Sequence, residues 1–100
     1  MSALLAQIGP RGTHSVYNTL SASVTFTKPD GATHFVFQPI TQGVYYTFEG
    51  TTPTSSNGAL YVAANDSEVL PCGDDITTVK VIEAAASAKL NYIWIYAKEV

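Results

Sequence analysis

Val24-Thr25-Phe26-Thr27-Lys28-Pro29-Asp30-Gly31-Ala32-Thr33-His34-Phe35-Val36-Phe37-Gln38 decides the fold class. Val24 and Phe26 alternate with Thr25 and Thr27, and Phe35 and Phe37 alternate with His34, Val36 and Gln38. Alternation of period two is the signature of a strand with one buried face. Between the two runs, Pro29 pre-sets a turn's φ and Gly31 tolerates positive φ, which predicts a tight hairpin.

The same texture continues on both sides. The first run extends back to Val16, and Pro39 is expected to end the return strand. Val44 to Phe48 predicts a strand with Val44, Tyr46 and Phe48 on one face. Glu49 to Gly58 reads as a loop of small and polar residues. Further strands are expected over Ala59–Ala64, Glu68–Leu70, Ile76–Ile82 and Leu90–Tyr96. Ala84 to Ala86 offers at most one turn of helix, because nucleation is costly. A jelly roll would want an eighth strand. About seven antiparallel strands favour an all-β, immunoglobulin-like β-sandwich over residues 16–100, preceded by an extended N-terminal arm over residues 1–15.

Two segments ask for something outside such a sandwich. The arm carries Leu4, Leu5 and Ile8 ahead of Gly9-Pro10-Arg11-Gly12. The last strand sets Leu90, Tyr92, Trp94 and Tyr96 on one face and Asn91, Ile93 and Ile95 on the other. A strand apolar on both faces has to be covered on both, so a neighbouring subunit or the arm is expected over one of them.

Charge narrows the function classes. Only 13% of the 100 residues are charged, the net charge is −3, and the five basic residues are scattered singly. That pattern argues against nucleic acid, which wants a basic stripe to displace counterions, and against an anionic membrane. Cys72 stands alone, so no intrachain disulfide is expected, and the N-terminus lacks a secretory signal pattern, which predicts synthesis in a reducing cytoplasm.

We expect no enzyme, no cofactor and no metal. His14, His34 and Cys72 have no spacing that pairs a nucleophile with a base. Asp74-Asp75 and Asp66 with Glu68 read as solvated turn formers rather than calcium ligands. Tyr45, Tyr61, Tyr92, Trp94 and Tyr96 offer an aromatic platform for a glycan or for another protein, with core filling as the ordinary alternative.

Val44-Tyr-Tyr-Thr-Phe-Glu-Gly-Thr-Thr-Pro-Thr-Ser-Ser-Asn-Gly58, with Ile76-Thr-Thr-Val-Lys-Val-Ile82, resembles the immunoglobulin-like domain at the C-terminus of chitobiases and related hexosaminidases. Glu49 departs from that pattern, where Asp is usual, and the family's domain carries no catalytic residue to transfer. Val24 to Gln38, Tyr46 to Thr54 and Ala88-Lys-Leu-Asn-Tyr92 together are similar to small virion proteins of tailed bacteriophages. That resemblance implies a head decoration or cement protein on the capsid exterior, with a head–tail or tail component as the variant role. It implies the major capsid protein and copies of itself as partners, with a trimer expected. Leu4, Leu5, Ile8, Tyr45, Ile93 and Ile95 are the expected interface residues. A carbohydrate- or cell-surface-binding module is the rival expectation.

Overall fold

Each apolar alternation becomes a strand whose inward residues meet a second sheet. The computed structural model describes residues 6–99 and contains nine strands: β1 (Ala6–Pro10), β2 (Ser15–Tyr17), β3 (Val24–Thr27), β4 (His34–Ile40), β5 (Val44–Thr47), β6 (Leu60–Val62), β7 (Glu68–Pro71), β8 (Thr78–Glu83) and β9 (Lys89–Glu99). One sheet runs β1-β9-β4-β7, with β2 also on β9, and the other runs β3-β8-β5-β6. Every pairing is antiparallel. The all-β, two-sheet sandwich expected from the sequence is what the chain forms.

The winding differs from the immunoglobulin-like order. That order joins chain neighbours as hairpins within a sheet. Here β5 and β6 are the one pair of chain neighbours in register; otherwise β4 meets β7, β3 meets β8, and β1 and β2 meet β9. The chain is thus a ribbon of four nested antiparallel pairs, assigned alternately to the two sheets, which is a jelly roll. With β1 and β2 counted as one interrupted edge strand along β9, the strand number is eight.

Three local expectations change for physical reasons. The run from Val16 to Thr27 is two strands in different sheets, because the segment between them crosses over and buries Leu20, whose carbonyl accepts from the Glu83 amide at 3.0 Å. The turn at Pro29 is real: Ala32 N–H donates to the Pro29 carbonyl at 3.1 Å, and Gly31 has φ +83°. It is no hairpin, however. Thr33 leaves it toward the opposite sheet, donating to the Ile95 carbonyl at 2.9 Å and accepting from the Ala97 amide at 2.8 Å. Pro39, expected to end its strand, lies inside β4. Its carbonyl accepts from Asn65 N–H at 2.7 Å on the side where β7 has already finished pairing, so no ladder donor is missing there.

Part of the expected arm is also ordered as sheet. Ile8 lies opposite Ala97, and Gly9 opposite Tyr96. A Cβ at Gly9 would collide with the Tyr96 ring, and Arg11 covers that ring at 4.1 Å from its centroid. Leu4 and Leu5 lie outside the described residues.

The core between the sheets is aromatic. Phe35 packs on Trp94 at 4.4 Å, on Phe37 at 5.1 Å and on Phe26 of the other sheet at 5.5 Å, while Phe37 meets Tyr46 at 5.2 Å. The Tyr46 hydroxyl donates to the Glu68 carboxylate at 3.2 Å, clasping β5 to β7 across the sandwich. Burial first, and then the Glu68 charge, push the Tyr46 pKa from 10.0 up to about 12.

A folded-state pKa above the unfolded one means that stability is complete below about pH 10 and declines as pH rises through about 12. Tyr46→Phe should cost about 1 kcal/mol at neutral pH, the usual net worth of such a hydrogen bond. The variant should also lose less stability than the parent over that alkaline interval. Urea unfolding of both proteins across the interval checks it, and equal alkaline losses would remove the clasp from the account.

Candidate functional site

The register that buries Phe35 and Trp94 decides what the five-stranded sheet shows to the outside. Phe35 lies opposite Trp94 with both side chains inward, so Val36, opposite Ile93, and His34, opposite Ile95, turn outward. On the edge beside β9, Ile8 and Val16 also turn outward, and on the far edge so does Val69, opposite Val36. Ile8 is 68% exposed, Val16 53% and Val69 53%. Pro10 lies opposite Ile95 and extends the same surface.

This face is continuous and apolar. Its middle is a shallow depression of about 630 Å³ lined by Ile8, Pro10, Val36, Ile93, Ile95 and His14. The outward positions from Asn91 to Ala97, with their neighbours on β1, β2, β4 and β7, include no Lys, Arg, Asp or Glu. The polar members include Asn91, Gln38, Thr13, His14 and His34, whose Nδ1 is 2.7 Å from the Thr33 hydroxyl. The outer face of the other sheet is unlike it: Thr25, Thr27, Thr47, Thr78 and Lys80 stand there around Tyr45, Tyr61 and Ile82. One sheet is dressed for water and the other is not.

Of the expected interface residues, the structure brings Ile8, Ile93 and Ile95 onto one surface and leaves Tyr45 on the opposite sheet, paired with Tyr61 at 5.4 Å. The described part of the arm lies beside β9 rather than over Ile93 and Ile95. Val16, Val36 and Val69 complete the face and were not singled out by sequence. The alternation in β4 already put Val36 on the non-core side, but only the pairing shows that it adjoins Ile93 and Val69.

The aromatic platform does not assemble. Trp94 is 7% exposed and packed on Phe35, and Tyr92 meets Phe26 at 4.7 Å within the sandwich. Tyr45 and Tyr61 remain as a pair. The 49–58 loop is held by its own side chains: Glu49 accepts from the Thr51 amide at 3.1 Å and hydroxyl at 2.8 Å, and Asn57 caps Thr54 and Ala59. An open pocket of about 390 Å³ lies between this loop and Tyr46, Phe48 and Leu60.

The candidate nucleophile points away from the candidate base. His34 is opposite Pro71 and outward, whereas the next residue, Cys72, is buried with its thiol on the Leu70 carbonyl at 3.3 Å. Burial pushes the thiol pKa up, against the lowering effect of Lys28, so the reactive thiolate is disfavoured. Among the described residues no group of three or more His, Cys, Asp or Glu is placed to hold a metal ion.

The division into core and outer face is measurable as stability. Trp94→Ala should cost about 3–5 kcal/mol, as removal of a buried aromatic does. Ile95→Ser, on the outer face, should cost about 1 kcal/mol, mostly lost strand preference. Chemical denaturation of both variants at low protein concentration checks this, and similar losses would place Ile95 in the core.

No family model matches the chain, and neither a curated protein nor a solved structure matches it significantly.

Proposed function

We propose that this protein is a non-catalytic structural protein of a tailed-bacteriophage virion, a decoration or cement protein on the capsid exterior. The observation that carries the reading is the uncharged apolar outer face of the five-stranded sheet, on which Ile8, Val16, Val36, Val69, Ile93 and Ile95 adjoin. Contiguous exposed apolar surface of this kind marks an interaction site, because leaving it in water costs about 25 cal/mol per Å². A protein only 13% charged has little else with which to keep a free surface soluble. Cover by coat subunits or by other copies of the chain removes that cost. Bridging adjacent coat subunits in this way resists the outward pressure of packaged DNA.

The resemblance of Val24–Gln38, Tyr46–Thr54 and Ala88–Tyr92 to small virion proteins supports the same reading. The jelly roll is compatible with it, since capsid and lectin domains both use that winding, but a fold alone does not choose a function. The Tyr45–Tyr61 pair supports a second reading, in which the polar outer sheet binds a glycan ring through stacked aromatics.

Antibody against the chain should label the heads of purified virions in electron micrographs. Label confined to tails would replace the cement role by a tail role, and unlabelled particles would overturn the virion reading. Glycan-array binding that Tyr61→Ala abolishes would favour the second reading instead.

A further inference from the structure

We propose that the apolar face is covered by a second copy of this chain, sheet against sheet, about a two-fold axis that crosses β9 at Trp94. This rests on the reading of that face as an assembly surface and names its occupant.

The register makes the face self-complementary. Ile8 lies opposite Ala97 and Val16 opposite Asn91, on the same edge of β9 and equally far from Trp94 in opposite directions. Ile93 and Ile95 flank Trp94 in the same way. A two-fold axis perpendicular to β9, lying between the copies, therefore seats Ile8 of one copy over Val16 of the other. It seats Ile93 over Ile95, and Val36 over the imidazole of His34. An isologous contact needs this property, that the patch matches itself after rotation.

Charge and area agree with the pairing. The nearest charged outward side chain on β9 toward its start is Lys89, and antiparallel stacking sends the two Lys89 residues to opposite ends. Like charges thus stay apart. A patch from Asn91 to Ala97, at about 3.3 Å per residue and four strands spaced about 4.8 Å, has a flat footprint of about 450 Å². Side-chain relief raises the accessible area toward the roughly 800 Å² per partner of a stable interface. A flat face pairing on itself closes with two copies, so the proposed unit is a dimer in place of the expected trimer.

The test uses the full chain carrying Ile8→Cys and Val16→Cys together, treated with a short bismaleimide. Within one copy these positions stand about 20 Å apart along the edge, beyond the linker's reach. Cys72 is buried and does not compete. The double variant should give a covalent dimer, and neither single variant should. Light scattering should find a dimer for the parent, weakened about a hundredfold by Ile93→Asp, which buries an unpaired charge in the interface. Val16→Asp, on an exposed edge, serves where Ile93→Asp fails to fold.

A monomeric parent overturns the proposal, as does a dimer indifferent to both charged variants or a single-cysteine variant that cross-links. Failure of the virion reading is a separate result: unlabelled particles together with an intact dimer leave the pairing standing. A monomer found on labelled heads leaves the virion role standing and assigns the face to the coat protein.

Discussion

The stacking of Phe35 on Trp94, 4.4 Å between ring centroids, fixes more of this molecule than any other contact. It joins the two central strands of the five-stranded sheet and reaches Phe26 of the opposite sheet through Phe35. Because side chains alternate across a strand, the register that turns these two rings inward turns Val36, Ile93 and Ile95 outward. A one-residue slip would exchange the sets, placing rings in solvent and β-branched aliphatics where the second sheet expects aromatics. The outer face is consequently as firmly specified as the core. It is the reverse side of the same pairing.

Alternation was legible because burial decides it residue by residue. Phe35 and Phe37, Val44 and Tyr46, and Val79 and Val81 are inward as their period-two spacing requires. Pairing was not legible, because a turn's chemistry does not say which sheet the chain enters next. Pro29 and Gly31 build the same tight turn for a hairpin and for a corner between sheets. The corner is chosen farther on, where Thr33 is bonded to Ile95 and Ala97, residues more than sixty positions away in sequence. The interface residues divide on the same principle. Ile93 and Ile95 declared themselves by standing on the second face of an apolar strand, whereas Tyr45 looked equivalent in sequence but belongs to the other sheet.

The nested winding also orders the connections by difficulty. Only β5 and β6 pair across a short stretch of chain, and the loop between them is tied by Glu49 and Asn57. Each further pair closes a longer loop, so the pairing of β1 and β2 with β9 brings together the two ends of the described chain. Long-range antiparallel topologies of this kind fold slowly, because closure entropy is spent before the contacts form. Without that pairing, β9 is a strand with two apolar faces and an open edge.

Such a strand is an aggregation hazard unless its exposed backbone is blunted. The outer edge of β9 is closed by an interrupted strand rather than a continuous one. Gly9 lets the Tyr96 ring lie against it, Pro10 removes a donor, and Arg11 donates its amide to the Trp94 carbonyl at 2.8 Å while stacking on Tyr96. The segment from Gly12 to His14 then leaves the ladder before β2 resumes it. A further strand cannot add along a broken edge with uniform hydrogen bonding. Edge growth on the β1–β2 side is thereby discouraged while the face is left free. Contact through a self-complementary face ends when that face is covered, whereas a head-to-tail contact along an edge propagates, so an apolar face beside a broken edge favours closed assembly over fibres.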